Sequence, residues 1–143
     1  MAGFASGGCL CSRVRYECDG EPAMTGACHC RDCQKSSGSA FATFLVFPKG
    51  AVRITKGEPA TYAHEGDSGQ GVRRHFCAHC GSPVLIEYDV TPDFAVVPAG
   101  TLDDAADDAG RVRPEWNIYT ESAQPWVELS HRLKKFPRGF KPG

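Results

Sequence analysis

Seven of the eight cysteines in this chain lie in three tight groups whose spacing is typical of metal-binding sites. Cys9 and Cys11 form the first group and are separated by one residue. Cys77 and Cys80 form a C-x-x-C segment followed by Gly81, a turn that lets two thiolates converge on one ion. Two such pairs, far apart in sequence, can together close one tetrahedral four-thiolate site. We therefore predict a structural zinc ion on Cys9, Cys11, Cys77 and Cys80.

The third group, Cys28, Cys30 and Cys33, places three thiols within six residues. Three protein ligands leave a tetrahedral zinc ion with an open fourth position, the arrangement of a reactive rather than a closed site. Alternatively the thiols are free nucleophiles, because the positive charges of Arg31 and Lys35 favour the reactive thiolate form. A second, purely structural metal cluster and a disulfide within the group are two further interpretations. The spacing thus predicts a reactive centre and leaves its metal content open.

Two other residues near these groups are expected to play no part in metal binding. His29 lies between two presumed ligands, so in an extended stretch its side chain points the other way. Cys18 stands alone in an alternating segment, where a cysteine usually packs as a small buried hydrophobic residue.

The composition excludes several classes of partner. The chain has 143 residues, 16 Lys+Arg and 17 Asp+Glu, which gives a formal net charge of -1. Nucleic acids and anionic membranes both require a basic surplus, so neither is expected as the main partner. The first eight residues lack the features of a secretory signal, and apolar stretches such as residues 44–47 are too short to span a bilayer. We expect a cytoplasmic protein, whose thiols stay reduced and serve as metal ligands or nucleophiles.

The hydrophobic pattern is mostly that of strands and predicts an all-β single domain. Alternation over residues 14–18 is typical of a half-buried strand, and the aromatic and β-branched residues 41–47 favour a more buried one. Further strands are predicted at residues 51–55, 60–63, 72–76, 84–88, 94–99 and 126–129. Helix signals are weak and indicate one turn at residues 32–36 and a short acidic helix at residues 101–109.

These motifs, in this order, resemble the glutathione-dependent formaldehyde-activating (GFA) enzymes. Residues 8–16 (GCLCSRVRY) resemble the opening of that family, and residues 28–41 (CHCRDCQKSSGSAF) resemble its central motif. Residues 74–82 (RHFCAHCGS) resemble its second zinc pair. Residues 114–119 (PEWNIY), with Pro125 and Trp126, resemble its C-terminal signature. The resemblance covers roughly residues 5–137, nearly the whole chain.

The resemblance implies a β-tent fold of antiparallel sheets in a GFA-type zinc-binding domain over residues 5–137, followed by an irregular tail at residues 138–143. It also implies a structural zinc on the two cysteine pairs and a second, labile zinc or thiol centre on the third group. The reaction implied is the condensation of formaldehyde with glutathione to S-(hydroxymethyl)glutathione, classed as a carbon–sulfur lyase activity. Arg31, Lys35, Arg73 and Arg74 are candidate contacts for the carboxylates of glutathione. Asn117 departs from the family pattern, since many relatives carry His there.

Two other classes of function fit the same residues. One is a non-catalytic zinc-binding module that holds a thiol ligand or a protein partner, because a fold can host non-enzymes as well as enzymes. The other is a zinc or redox sensor built on Cys28, Cys30 and Cys33. In the enzyme interpretation the partners are a small-molecule thiol and an aldehyde.

Overall fold

The structure is a computed structural model that describes residues 5–104 and 112–139. Short strands dominate these residues, and a single α-helix, α1 (Arg31–Ser37), interrupts them within the described ranges. The strands are β1 Ala5–Gly8, β2 Arg15–Cys18, β3 Met24–Cys28, β4 Ala42–Pro48, β5 Val52–Lys56, β6 Ala60–Glu65, β7 Gly71–Phe76, β8 Pro83–Tyr88, β9 Phe94–Pro98, β10 Trp116–Ile118 and β11 Lys134–Phe136. The predicted predominance of strands is therefore confirmed.

The strands form one small and one large sheet. The small sheet has the order β1-β2-β5 and is antiparallel, and the large sheet has the order β11-β10-β3-β4-β9-β8-β7-β6. Strand β10 pairs parallel with both β3 and β11, so the large sheet is mixed rather than antiparallel throughout as predicted. Parallel neighbours need a long crossover connection, and strands of three residues are too short to carry a periodic signal of their direction.

Most individual strand predictions are confirmed, from residues 14–18 to residues 94–99. The strand predicted at residues 126–129 is wrong, because this segment has no partner in either sheet and the indole of Trp126 is 71% exposed. The one-turn helix predicted at residues 32–36 is the longer α1. Of the acidic helix predicted at residues 101–109, Thr101 ends a 3-10 turn, and residues 105–109 lie outside the described residues.

The two faces of the large sheet have different partners, because side chains alternate along each strand. In β4, Leu45 and Phe47 point toward the small sheet and pack with Tyr16 and Cys18 in the main core. Phe44 and Val46 point the other way, into a second apolar cluster that includes Cys28 and Cys33. The second face of the large sheet therefore lies directly beside the third cysteine group.

One glycine in β3 permits a close approach on this second face. Gly26 lies opposite Trp116 of β10, and a Cβ atom on Gly26 would overlap the indole ring. Any larger residue at position 26 would displace Trp116, which is buried. The glycine thus lets the indole lie close over β3, the strand that ends at Cys28.

A hydrogen bond between His75 and Glu87 makes stability depend on pH. His75 Nε2 donates to Glu87 Oε1 at 2.8 Å, and both side chains are largely buried. Partial burial alone would raise the pKa of Glu87, but the His75 hydrogen bond and the nearby positive charges hold it below its ordinary value of 4.5. A carboxylate with a depressed native pKa contributes stability above its ordinary pKa and loses it as the pH falls through the native value.

We therefore expect Glu87→Gln to destabilise the protein at pH 7 and to have a smaller effect below pH 4.5. The measurement is the free energy of urea unfolding of both proteins from pH 7 to pH 3. A destabilisation of the same size at every pH would contradict the assignment of a depressed pKa to Glu87.

Candidate active site

The first two cysteine pairs meet in space and form a sulfur cage, defined here as Cys9, Cys11, Cys77 and Cys80. All four Sγ atoms lie within 4.8 Å of one another. The Sγ of Cys11 is 3.7 Å from that of Cys9 and 3.7 Å from that of Cys77. Zinc–sulfur bonds of about 2.3 Å in a tetrahedron place the sulfurs about 3.8 Å apart. The cage therefore has the dimensions that a four-thiolate zinc site requires.

Backbone amides and a hydroxyl stabilise negative charge on the cage. The Val14 amide donates to Cys9 Sγ at 3.2 Å, and the His79 amide donates to Cys77 Sγ at 3.4 Å. The hydroxyl of Ser82 lies 3.3 Å from Cys80 Sγ, and this hydrogen bond, with the Ser82 amide, lowers the pKa of Cys80 to about 5. Such donors favour thiolates, which are the form that binds metal.

The turn of the C-x-x-C segment depends on its glycine. Gly81 has a φ of +81°, a left-handed conformation that other residues adopt only with strain. Its amide donates to the Cys77 carbonyl at 2.8 Å and closes the turn between β7 and β8. This explains the glycine directly after Cys80.

The third group forms a thiol trio, defined as Cys28, Cys30 and Cys33, at the junction of β3 and α1. Its Sγ atoms also lie within 4.8 Å of one another, and the ring of His29 is not among these potential ligands. Cys30 is the N-cap of α1, and its Sγ accepts from the Cys33 amide at 3.3 Å. Cys28 and Cys33 are buried, whereas Cys30 is partly exposed. Three sulfurs thus converge and one of them reaches toward solvent.

The three thiols of the trio titrate as one unit. Hydrogen bonds from the thiols of Cys28 and Cys33 lower the pKa of Cys30. The pKa of Cys28 is raised because its hydrogen bonds to Cys30 and Cys33 hold its proton, with burial adding to the effect. Among the thiols alone, the first proton is therefore lost from the group with the charge centred on Cys30.

Two buried amides, those of Gln34 and Asn117, connect the trio to the rest of the fold, a role that the sequence did not predict for them. Gln34 donates from Nε2 to the His29 carbonyl at 2.7 Å and to the Ser122 carbonyl at 3.0 Å. The Nε2 of His29 donates to Asn117 Oδ1 at 2.8 Å, and both residues are buried. These bonds tie the loop around Cys30 to the C-terminal part of the chain. Gln34 and Asn117 stand out only because they are buried polar residues, and the spacing of residues along the sequence does not reveal burial.

Asn117, the residue that departs from the family pattern, therefore supports the trio through His29 and is not part of it. We expect Asn117→Leu to destabilise the protein by about 1–3 kcal/mol, because it leaves the buried His29 donor without its acceptor. Chemical denaturation measures this loss. The matched control is Gln70→Leu at an exposed amide, which we expect to stay within about 0.5 kcal/mol of the unsubstituted protein. Equal stabilities of the two variants would show that the His29–Asn117 bond contributes nothing.

A cavity of about 740 Å³ opens beside the trio, and Cys28, Cys30 and Cys33 all line it. This volume falls within the range of pockets that hold small-molecule ligands. Much of the remaining wall is the second face of the large sheet, including Phe44 and Val46. The thiol trio is thus exposed to a ligand-sized space, whereas the sulfur cage does not line it.

The cavity also contains a fixed positive charge. Arg74 donates from Nε to His64 Nε2 at 2.9 Å and from a terminal nitrogen to Ser36 Oγ at 3.1 Å. The hydrogen bond with Cys28 and, to a smaller extent, the charge of Arg74 lower the pKa of Cys33, but the hydrogen bond with Cys30 and burial raise that pKa overall. Among the described residues Arg74 forms no ion pair with a carboxylate, so its charge is available to an anionic ligand.

The four predicted ligand-binding cations lie in different places. Arg31 lines the cavity beside the trio. Lys35 does not line this cavity. It borders a separate cavity of about 470 Å³, which Arg31 and Trp126 also line. The geometry brings Arg31 and Arg74 to the trio. Like Lys35, Arg73 does not line the cavity, and it pairs with Asp89 at 2.5 Å.

Comparisons with known proteins show the family of the chain. The family described as "Glutathione-dependent formaldehyde-activating enzyme" matches residues 4–122, and the chain belongs to that family. A Fusarium vanettenii protein named "Putative glutathione-dependent formaldehyde-activating enzyme" is 33% identical over 73 residues. The match covers 51% of this chain and 38% of the length of that relative.

A solved structure has a similar fold. The crystal structure of a Rhodobacter sphaeroides protein aligns with a TM-score of 0.55 at 20% identity, and covers 68% of this chain and 87% of that chain. Within the described residues, no helix is both long enough and apolar enough to cross a membrane.

Proposed function

We propose that the protein catalyses the addition of the glutathione thiol to formaldehyde, forming S-(hydroxymethyl)glutathione, as a zinc-dependent carbon–sulfur lyase. Family membership supports a glutathione-linked, formaldehyde-activating enzyme. The observation that carries the proposal is the position of the trio, whose three sulfurs converge at the wall of a ligand-sized cavity. The two sulfur groups then have different roles. The cage stabilises the fold, and the trio faces the substrate.

Both sulfur groups fit zinc. The cage supplies four thiolates at tetrahedral spacing, and the trio supplies three, with the cavity beside it. Soft thiolate ligands favour zinc over the hard cations magnesium and calcium. A zinc ion on Cys28, Cys30 and Cys33 supplies one property, a lower pKa for a thiol that binds at its open position.

Residues of the chain bind and orient the glutathione. Its carboxylates are attracted to Arg74 and Arg31, of which Arg74 is held in place by His64 and Ser36. The apolar sheet face beside the trio limits the access of water to the sulfur, which strengthens these charge interactions. The glutathione sulfur is thereby placed next to the trio, and Arg74 and Arg31 compensate the negative charge of the glutathione carboxylates.

The reaction balances without a further reactant. The sulfur of glutathione forms a bond to the carbon of formaldehyde, and the carbonyl π bond breaks. The thiol proton leaves to solvent, and the carbonyl oxygen takes up a proton to become the hydroxyl group. No electron donor or acceptor is consumed, in keeping with a lyase in the carbon–sulfur class.

We propose that the functional domain extends beyond the family match, past the predicted boundary at residue 137, to include Arg138. Strand β11 (Lys134–Phe136) forms an edge of the large sheet, beside β10. The following Arg138 lines the cavity and pairs with Asp67 at 3.1 Å and with Glu121 at 3.7 Å. The segment after β11 therefore belongs to the wall of the site.

A second candidate function is a redox sensor at the trio. The specific observation is that Cys30 is partly exposed and has a lowered pKa, the two features of an oxidation-sensitive thiol. In that case peroxide would oxidise Cys30 and a neighbouring thiol of the trio would then form a disulfide with it. Mass spectrometry after peroxide treatment distinguishes this function, because it requires rapid oxidation of Cys30 and no turnover of formaldehyde.

The proposed reaction is tested by exchange spectroscopy of ¹³C-formaldehyde with glutathione at equilibrium, which reads the rate of adduct formation directly. We expect zinc-loaded protein to raise the exchange rate well above that of the uncatalysed mixture. An exchange rate equal to the uncatalysed one, with both sulfur groups loaded with zinc, would refute the proposal.

A further inference from the structure

The cavity beside the trio has an apolar floor that formaldehyde does not need. The floor is the second face of the large sheet, where Met24 lies directly opposite Val46, and Val46 lies opposite Val96. Phe44 and Phe94 extend it along β4 and β9, and all five residues line the cavity. Phe44, Val46 and Val96 are at most 9% exposed. The floor is thus a continuous apolar surface across three adjacent strands.

Four charged residues of the cavity lie at its mouth. Glu65, Asp67, Glu121 and Arg138 line the cavity and are all exposed to solvent. Arg138 pairs with both Asp67 and Glu121, so the mouth carries both signs of charge. Glutathione has two carboxylates, an ammonium group and two amides, and a mouth with both signs of charge matches these groups. The peptide part of glutathione therefore fits the mouth and not the floor.

The trio lies where these two surfaces meet. Cys28 and Cys33 pack in the same apolar cluster as Phe44, Val46 and Val96. Arg74, on β7, lines the same cavity and forms an ion pair with no carboxylate of residues 5–104 and 112–139. A thiol held at the trio by its peptide part thus presents its sulfur to the apolar floor.

We propose that the electrophile of this enzyme is an aldehyde that carries an aliphatic or aromatic substituent, which the floor binds. The inference rests on the proposed function and replaces formaldehyde as the preferred partner. Formaldehyde has no substituent, so it gains nothing from an apolar wall. A substituent on the carbonyl carbon covers that wall and shields it from water, and each buried methylene group adds to the affinity.

The test uses two thioethers that resemble the adduct, S-hexylglutathione and S-methylglutathione. Both present the same peptide, and they differ only in the apolar chain on sulfur. Isothermal titration of the zinc-loaded protein is expected to show the hexyl compound binding at least about tenfold more tightly than the methyl compound. In parallel, exchange spectroscopy compares the turnover of hexanal with that of formaldehyde, and we expect the larger ratio of catalysed to uncatalysed rate for hexanal.

Two substitutions locate the binding surface. Val96→Phe fills the centre of the floor and is expected to abolish the advantage of the hexyl compound over the methyl compound. Phe94→Ala removes part of the wall and is expected to reduce the same advantage about threefold or more. The matched control is Ile54→Phe on the partly exposed β5 of the small sheet, which does not line the cavity and should change neither affinity.

The outcomes separate this inference from the proposed function. Equal affinity for the two thioethers, together with turnover of formaldehyde, overturns the inference and leaves the proposed function in place. A hexyl advantage that persists undiminished in both Val96→Phe and Phe94→Ala overturns it too, because the chain then binds elsewhere. Absence of thioether binding and of turnover with either aldehyde refutes both.

Discussion

The variant Cys77→Ser is expected to lose the metal of the sulfur cage and, with it, cooperative folding. Cys77 is 2% exposed, and its Sγ lies 3.7 Å from that of Cys11 on a distant part of the chain. The cage links the turn after β1 to the turn between β7 and β8, so one ion joins the small sheet to the large one. Structural zinc contributes about 10–16 kcal/mol in small zinc domains, as much as the whole stability of a typical domain.

Metal analysis and thermal melting followed by circular dichroism measure this effect. The matched control is Cys18→Ala, which replaces a buried cysteine that belongs to neither sulfur group. We expect the control to keep its metal and to lose only about 1–2 kcal/mol of stability. If Cys77→Ser retained its metal and melted like the control, the cage would have no structural role.

The second large effect is expected for Cys30→Ser, which should lower the rate of adduct formation at least about 10²-fold, to near the uncatalysed rate. Cys30 is the partly exposed thiol of the trio, and its pKa is lowered by the neighbouring thiols. Serine has a similar size but does not ionise near neutral pH, so it cannot replace the thiolate as a metal ligand. Because the cage is intact, this variant should melt close to the unsubstituted protein.

Exchange spectroscopy of ¹³C-formaldehyde with glutathione provides the rate, and Cys18→Ala is again the control. The control is expected to retain the full rate. An unchanged rate in Cys30→Ser would exclude Cys30 from catalysis and would count against the whole trio.

The cysteine groups could be predicted from sequence because their ligand spacing is a local property. A C-x-x-C turn brings two sulfurs together whatever the rest of the fold does, and the left-handed Gly81 is the residue that such a turn needs. The pairing of Cys9 and Cys11 with Cys77 and Cys80 was predicted from ligand number, and the structure brings these four sulfurs together. Strands with clear alternation, such as β2, were predicted for the same local reason.

The features that escaped prediction depend on which segments meet in the folded chain. Strand β3 (MTGAC) shows no alternation because it is buried on both faces, and its sequence does not distinguish it from a loop. In the sequence, Gln34 and Asn117 look like any other polar residues. In the folded chain they are buried, and their amides need specific hydrogen-bond partners. Arg31 and Lys35 are four residues apart on one helix, yet only Arg31 reaches the trio's cavity.

The proposed division of roles, with a structural zinc ion in the cage and a reactive one in the trio, is tested most directly by counting zinc ions per chain in protein purified without chelator. We expect two ions in the unsubstituted protein and one in the variant with Cys28, Cys30 and Cys33 all replaced by serine, with the remaining ion resistant to added glutathione. An equal zinc content in both proteins, or the absence of zinc from the unsubstituted protein, would contradict this division.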